Sequence, residues 1–136
     1  MKFIVNTLAS GCLFYGCISF ACIANQQESE IRIVSMVSLL ANPSSYVGSR
    51  VRVAGYLKSQ ANYYLYLTRD HAQISDYQSA IRVSDTDDGE IFSNRCFNSY
   101  MYVTGIWAKS ANESYVLRDV EEVYDALQEK ICMSDR

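Results

Sequence analysis

The sequence predicts a mainly β domain, a small five-stranded barrel with a short N-terminal helix and a helical connection between its third and fourth strands. Three observations carry this expectation. Apolar residues recur with a period of two over several short stretches. Two of those stretches hold a glycine at the same offset, where a curved sheet needs it. The chain that follows an apolar leader, about 112 residues of the 136, suffices for one modest core and not for two.

The leader comes first. Met1 and Lys2 precede a run from Phe3 to Ala24 that is apolar apart from Asn6 and small residues. This is the charged start and apolar centre of a secretory signal peptide, and the small Cys22 and Ala24 point to cleavage between Ala24 and Asn25. A retained anchor is the alternative, because the run approaches the length of a spanning helix. A third reading is lipid attachment. Ala9, Ser10, Gly11 and Cys12 resemble a lipobox, although Ala9 stands where Leu is usual and Leu13 to Ala24 would remain as a needless apolar segment. The expected location is therefore the periplasm or the exterior, with membrane contact only through lipid or a retained signal.

Asn25 to Glu30 is polar and reads as a flexible mature terminus. Ile31 to Met36 has strand-like residues. Ser38 then opens a short helical run, Leu39, Leu40 and Ala41, which Pro43 stops. From Pro43 to Gly48 the chain turns into the first strong strand. There Val51, Val53, Gly55 and Leu57 alternate with Arg50, Arg52, Ala54, Tyr56 and Lys58, which gives one buried face and one basic, aromatic face.

A short polar turn leads to Tyr63–Thr68, with Leu65 and Leu67 expected inward and Tyr64 and Tyr66 outward. Residues 69 to 78 read as a loop. Ala80 to Ser84 forms a third strand with Ile81 and Val83 inward and Arg82 outward. Asp85 to Asn98 breaks the alternation and starts with acids, as a helix does. The fourth strand spans Ser99 to Lys109, with Met101, Val103, Gly105 and Trp107 on one face and Tyr100 and Tyr102 on the other. The fifth runs from about Tyr115 to Tyr124, and its alternation fails after Leu117, the mark of a bulge or an early end.

Val51, Val53, Gly55, Leu57 and Lys58 echo Met101, Val103, Gly105, Trp107 and Lys109. Three strands, a helix-like connection and two strands, with curvature glycines in the first and fourth, is the order of an OB-fold. The chain resembles the small exported OB-fold proteins of bacteria. The resemblance covers most of residues 35 to 124 and rests on Leu40, Pro43, Tyr46, Gly48 and the V-x-V-x-G strand of Val51, Val53 and Gly55 with Leu57. It implies a fold and brings no catalytic residue with it, since OB-folds serve many unrelated partners.

The chain holds five cysteines. Cys12, Cys17 and Cys22 lie in the leader, which leaves Cys96 and Cys132. Two thiols in an oxidising compartment suggest a disulfide. It would tie the tail after the last strand to the segment before the fourth and restrict the unfolded chain by about 3 to 4 kcal/mol. Two thiols and one histidine are too few for a closed zinc site. Asp85, Asp87, Asp88 and Glu90 surround Gly89, but the spacing fails an EF-hand, and a solvated connection is the expected reading. No metal or cofactor is expected.

Arg52, Tyr56, Tyr64, Tyr66 and Arg82 form the expected ligand face. Aromatic rings stack on bases or sugars, and arginine pairs with phosphate or carboxylate. The plainer account is that tyrosine, a good strand former with a polar tip, simply coats a sheet. The formal charge is -3, or -4 once Lys2 is lost (-3 minus one positive charge), so nothing attracts nucleic acid in bulk. With no G-x-S-x-G and no H-E-x-x-H, and with His71 beside Asp70 as the sole candidate pair, enzymatic activity is not expected. Asn112, Glu113 and Ser114 form a sequon that matters only in a eukaryotic secretory pathway.

The expected function is an exported, non-catalytic binding module for a protein, a glycan or an anionic ligand. The alternatives are a structural or inhibitory envelope protein and a single-stranded nucleic-acid binder. Nothing in the sequence fixes the oligomeric state.

Overall fold

The computed structural model describes residues 30–59, 61–84 and 96–134. The leader with its cleavage site and lipobox, the polar start up to Ser29, and the acidic stretch of the expected helical connection lie outside them.

Seven strands and two short helices are present among the described residues: β1 (Arg32–Ile33), α1 (Met36–Ala41), β2 (Arg50–Ser59), β3 (Tyr63–Tyr66), α2 (Arg69–Gln73), β4 (Ala80–Val83), β5 (Ser99–Lys109), β6 (Tyr115–Asp125) and β7 (Lys130–Ser134). Neighbours around the barrel run β2, β3, β4, β6, β5, and β5 pairs back with β2. Only β4 and β6 pair in parallel within this ring, through Arg82 with Val116 and Val83 with Leu117. The result is a closed, mixed, five-stranded OB-like barrel, as the strand order predicted. β1 joins it alongside β2 and β7 alongside β6.

The period-two residues fill the interior. Val51, Val53, Leu57, Leu65, Met101, Val103, Leu117 and Val123 are all buried. Both curvature glycines are required by close approach. A β-carbon on Gly55 would stand 2.5 Å from Met36 Cε and 2.7 Å from the Tyr66 carbonyl oxygen. One on Gly105 would stand 2.7 Å from the Arg118 carbonyl oxygen.

α1 starts earlier than Ser38, because Ser35 is the cap. Its Oγ accepts from the Ser38 amide at 3.1 Å, and the shift buries Met36 and Leu39 at the barrel end. Pro43 then opens a 3-10 turn. The Trp107 indole donates to the Pro43 carbonyl at 2.9 Å, and its ring stacks on Tyr115 at 5.9 Å.

Three expectations need correction. Residues 69–78 are not an open loop: Thr68 caps α2 by accepting from the His71 amide, and a 3-10 turn, Tyr77–Ser79, follows. This segment lies against the outer side of β2 and β3, where Lys58 Nζ donates to the Ala72 carbonyl at 2.6 Å. Tyr66 keeps to the outer side of β3 but is covered there by this segment and not exposed as expected. It is 0% exposed, while Leu67, expected inward, is only partly buried because β3 ends before it. Finally, the stretch after β6 is no simple tail but a further strand, β7, reached through a turn.

The failure of alternation after Leu117 is a bulge, and the strand continues beyond it. Thr104 pairs with Glu122 and Ile106 with Arg118, so β6 spends two more residues than β5 over the same span. Asp119 takes a left-handed backbone there, with φ of 48°.

Candidate functional site

The register sorts the expected ligand face into separate places. Lys58, Tyr64 and Arg82 form one cross-strand row, and Tyr100, Tyr56 and Tyr66 form the next. Arg52 stands four residues before Tyr56 on β2, roughly 13 Å away at the rise of a strand. It therefore belongs to a different part of the surface.

That part is a groove of about 440 Å³ lined by Ile33, Arg52, Tyr102, Glu122, Tyr124 and Ile131. Two ladders make its floor. Ile33, Arg52, Thr104 and Glu122 follow one another across β1, β2, β5 and β6, and Ala54, Tyr102, Tyr124 and Ile131 follow across β2, β5, β6 and β7. The two tyrosine rings lie 6.3 Å apart and tilted. The groove walls are the two appended strands, and both carry an isoleucine into solvent: Ile33 is 82% exposed and Ile131 58%. Large aliphatic side chains exposed on the walls, beside the exposed Tyr102 and the half-buried Tyr124, make a coherent apolar surface rather than scattered single residues.

The basic character expected of the β2 face is cancelled. Arg50 holds Glu121 through Nε at 2.7 Å and Nη2 at 2.6 Å. Arg52 pairs with Glu122 through Nη2 and donates from Nε to Thr104 Oγ1 at 2.9 Å. The bulge in β6 is what lets the adjacent Glu121 and Glu122 serve two arginines on one face, since neighbours in a regular strand point to opposite sides. The groove thus presents no unbalanced charge from these residues.

The other expected ligand residues occupy smaller settings. Tyr64 packs edge-on against Tyr77 at 4.9 Å, and Tyr66 lies beneath the same ring at 6.3 Å. Burial, with the neighbouring Tyr77 and Tyr64 phenols, pushes the Tyr66 hydroxyl up to about 12. The Tyr66 ring is covered by Tyr77 and the segment that carries it. Arg82 donates to Asn62 Oδ1 at 3.2 Å beside a recess of about 250 Å³. Tyr56 donates to the Asn98 carbonyl at 3.0 Å, and its ring meets Tyr100 edge-on at 5.4 Å. A recess of about 190 Å³ opens there between Tyr56, Lys58, Arg69 and Asn98.

Cys96 and Cys132 form a disulfide, Cα to Cα 5.8 Å. Cys96 lies in the core, and Cys132 packs against it from β7. His71 is bound to its own helix, with Nδ1 at 2.9 Å from Thr68 Oγ1. Asp76 caps the 3-10 turn, and hydrogen bonds from Ser79 and the Gln78 amide hold its carboxyl below the usual range. Among the described residues no three His, Cys, Asp or Glu side chains gather as metal ligands. No described helix is long and apolar enough to cross a membrane.

Sequence reasoning assigned Arg52 to a site but missed its partners Ile33, Glu122, Tyr124 and Ile131. Tyr102 was placed on the outward side of its strand, as found. The alternation of Lys130, Ile131 and Cys132 was the one signal for β7, since Asp125 to Lys130 carries no glycine, proline or asparagine to mark the turn before it. No protein-family model matches this chain and no curated protein matches it. What is established is therefore the fold, a small, disulfide-bonded, five-stranded OB-like barrel.

Proposed function

We propose that this chain is an exported, non-catalytic binding module that recognises another protein through the groove floored by Tyr102 and Tyr124. The observation that carries the reading is the exposure of Ile33 and Ile131 on the walls of an aromatic-floored surface. Aromatic residues are favoured at the centres of protein interfaces, where unpaired charge is depleted. Arg50 and Arg52 are engaged by Glu121 and Glu122, which disfavours an anionic ligand and a single-stranded nucleic acid on this face. A structural or inhibitory envelope protein would use the same surface, differing in consequence and not in recognition.

Export is supported by the apolar leader and by a disulfide of the sort that persists in oxidising compartments. Membership among the small exported OB-fold proteins of bacteria is proposed on the same grounds together with the barrel order. A glycan is the second reading. It is favoured by the paired tyrosine rings beside a guanidinium and a carboxylate, groups that can bind the faces and hydroxyls of a sugar.

The test is capture from envelope extract with residues 25–136, beside a folded Tyr102→Ala, Tyr124→Ala variant. Loss of a specific partner in the variant is expected. Capture unchanged by the variant rejects the groove as the binding surface.

A further inference from the structure

One wall of the groove, β7, carries a disulfide to the barrel core. β7 pairs with β6 alone among the described residues, and its ladder is interrupted between Val123 and Tyr124. Of its side chains whose burial is described, Ile131 faces solvent, Lys130 is half-buried, and Cys132 alone packs against the core. A strand joined on one side only is marginal by itself. The bond from Cys132 to Cys96 ties it covalently to the barrel core.

The other end of that bond is set deep in the barrel. Cys96 is buried among the core side chains, where a reduced cysteine serves as a small apolar residue. The barrel ring of β2, β3, β4, β6 and β5 closes through backbone pairing that involves neither cysteine.

We propose that the Cys96–Cys132 disulfide is a redox-sensitive clamp on the groove wall, so that cleaving it releases β7 and dismantles the groove while the barrel stays folded. The inference rests on the groove being the binding surface. The reductant is a dithiol. Its thiolate attacks Cys132 Sγ, the more accessible sulfur, forming a mixed disulfide and expelling Cys96 as a thiolate that takes up a proton. The second thiol of the reductant then displaces Cys132, which is likewise protonated. Two electrons pass to the protein disulfide, and the dithiol leaves as its own disulfide.

The experiment is amide hydrogen exchange on the protein as secreted by its expression host, oxidised and after treatment with dithiothreitol, followed residue by residue. Exchange of the amides paired in β7 should rise roughly 100-fold, as removal of a strand's chief restraint implies, while those of Val53 and Val103 keep their protection. A Cys96→Val, Cys132→Val variant, which retains apolar volume at both positions, should behave like the reduced protein. Unchanged β7 exchange overturns the proposal. So does a parallel rise at Val53 and Val103, because the bond is then a staple of the whole barrel. Since exchange needs no ligand, the clamp is judged apart from the groove: partner capture that survives Tyr102→Ala, Tyr124→Ala defeats the binding reading whatever β7 does.

Discussion

Arg50 on β2 and Glu121 on β6 form a bidentate ion pair across the intervening strand β5, with Nε to Oε1 at 3.0 Å and Nη2 to Oε2 at 2.6 Å. The contact exists because β6 bulges opposite Gly105, where the chain gains the length that turns Glu121 toward the β2 face. A barrel corner and a charge balance are therefore one feature. It leaves the neighbouring groove to its apolar lining.

Glu121→Gln removes half of that pair and leaves Arg50 partly buried without its carboxylate. The expected loss is about 1.5 kcal/mol, in the range for hydrogen bonds to charged groups. Urea denaturation checks this. A loss indistinguishable from zero makes the pair an ordinary surface one.

Gly55→Ala forces a methyl against Met36, Leu65 and the Tyr66 carbonyl, two of which lie at 2.7 Å. Overpacking of this kind costs about 1 to 3 kcal/mol, and the backbone carbonyl cannot move aside as a flexible side chain would. Gly48→Ala is the control: its β-carbon has open space, but its φ of +81° strains any other residue. The expected penalty at Gly48 is about 1 kcal/mol, below that at Gly55. Thermal melts of the two variants give the ranking directly.

Burial pushes the Tyr66 hydroxyl of the folded chain up to about 12, above its ordinary value of 10.0. Between those values the unfolded chain has lost the proton and the folded chain has kept it. The contribution is fully present below pH 10.0 and is lost as pH rises to about 12. Stability measured across this window should fall more steeply in the wild type than in Tyr66→Phe. Equal slopes mean that the phenol is not desolvated.

Asp125 sets the turn into β7, its Oδ1 accepting from the Leu127 and Gln128 amides at 2.8 and 2.9 Å. Asp125→Ala abandons both and should cost about 2 kcal/mol. Asp125→Asn, which retains the acceptor, should cost less. Chemical denaturation of both variants compares them.

Much of the barrel was legible because period-two patterning is local: Val51, Val53 and Leu57 announce an inner face before any partner strand is known. Gly55 and Gly105 were legible for the same reason. The burial of Tyr66 was illegible because it comes from Tyr77 and α2, in a segment read as a loop, and Thr68, which caps α2, was read as the end of a strand. The groove was illegible as a whole. Its walls come from β1 and β7, which lie at opposite ends of the described chain and meet only once β2, β5 and β6 lie between them. Arg52 showed as a charge, while the glutamate that cancels it depends on the bulge.

The account turns on whether partners dock in the groove. The most direct measurement places a photo-crosslinking benzoylphenylalanine at Tyr102, and separately at Tyr64, in cells that export the protein. The account predicts a discrete crosslinked protein from position 102 and none from position 64. Crosslinking from position 64 alone, or none from position 102, contradicts it.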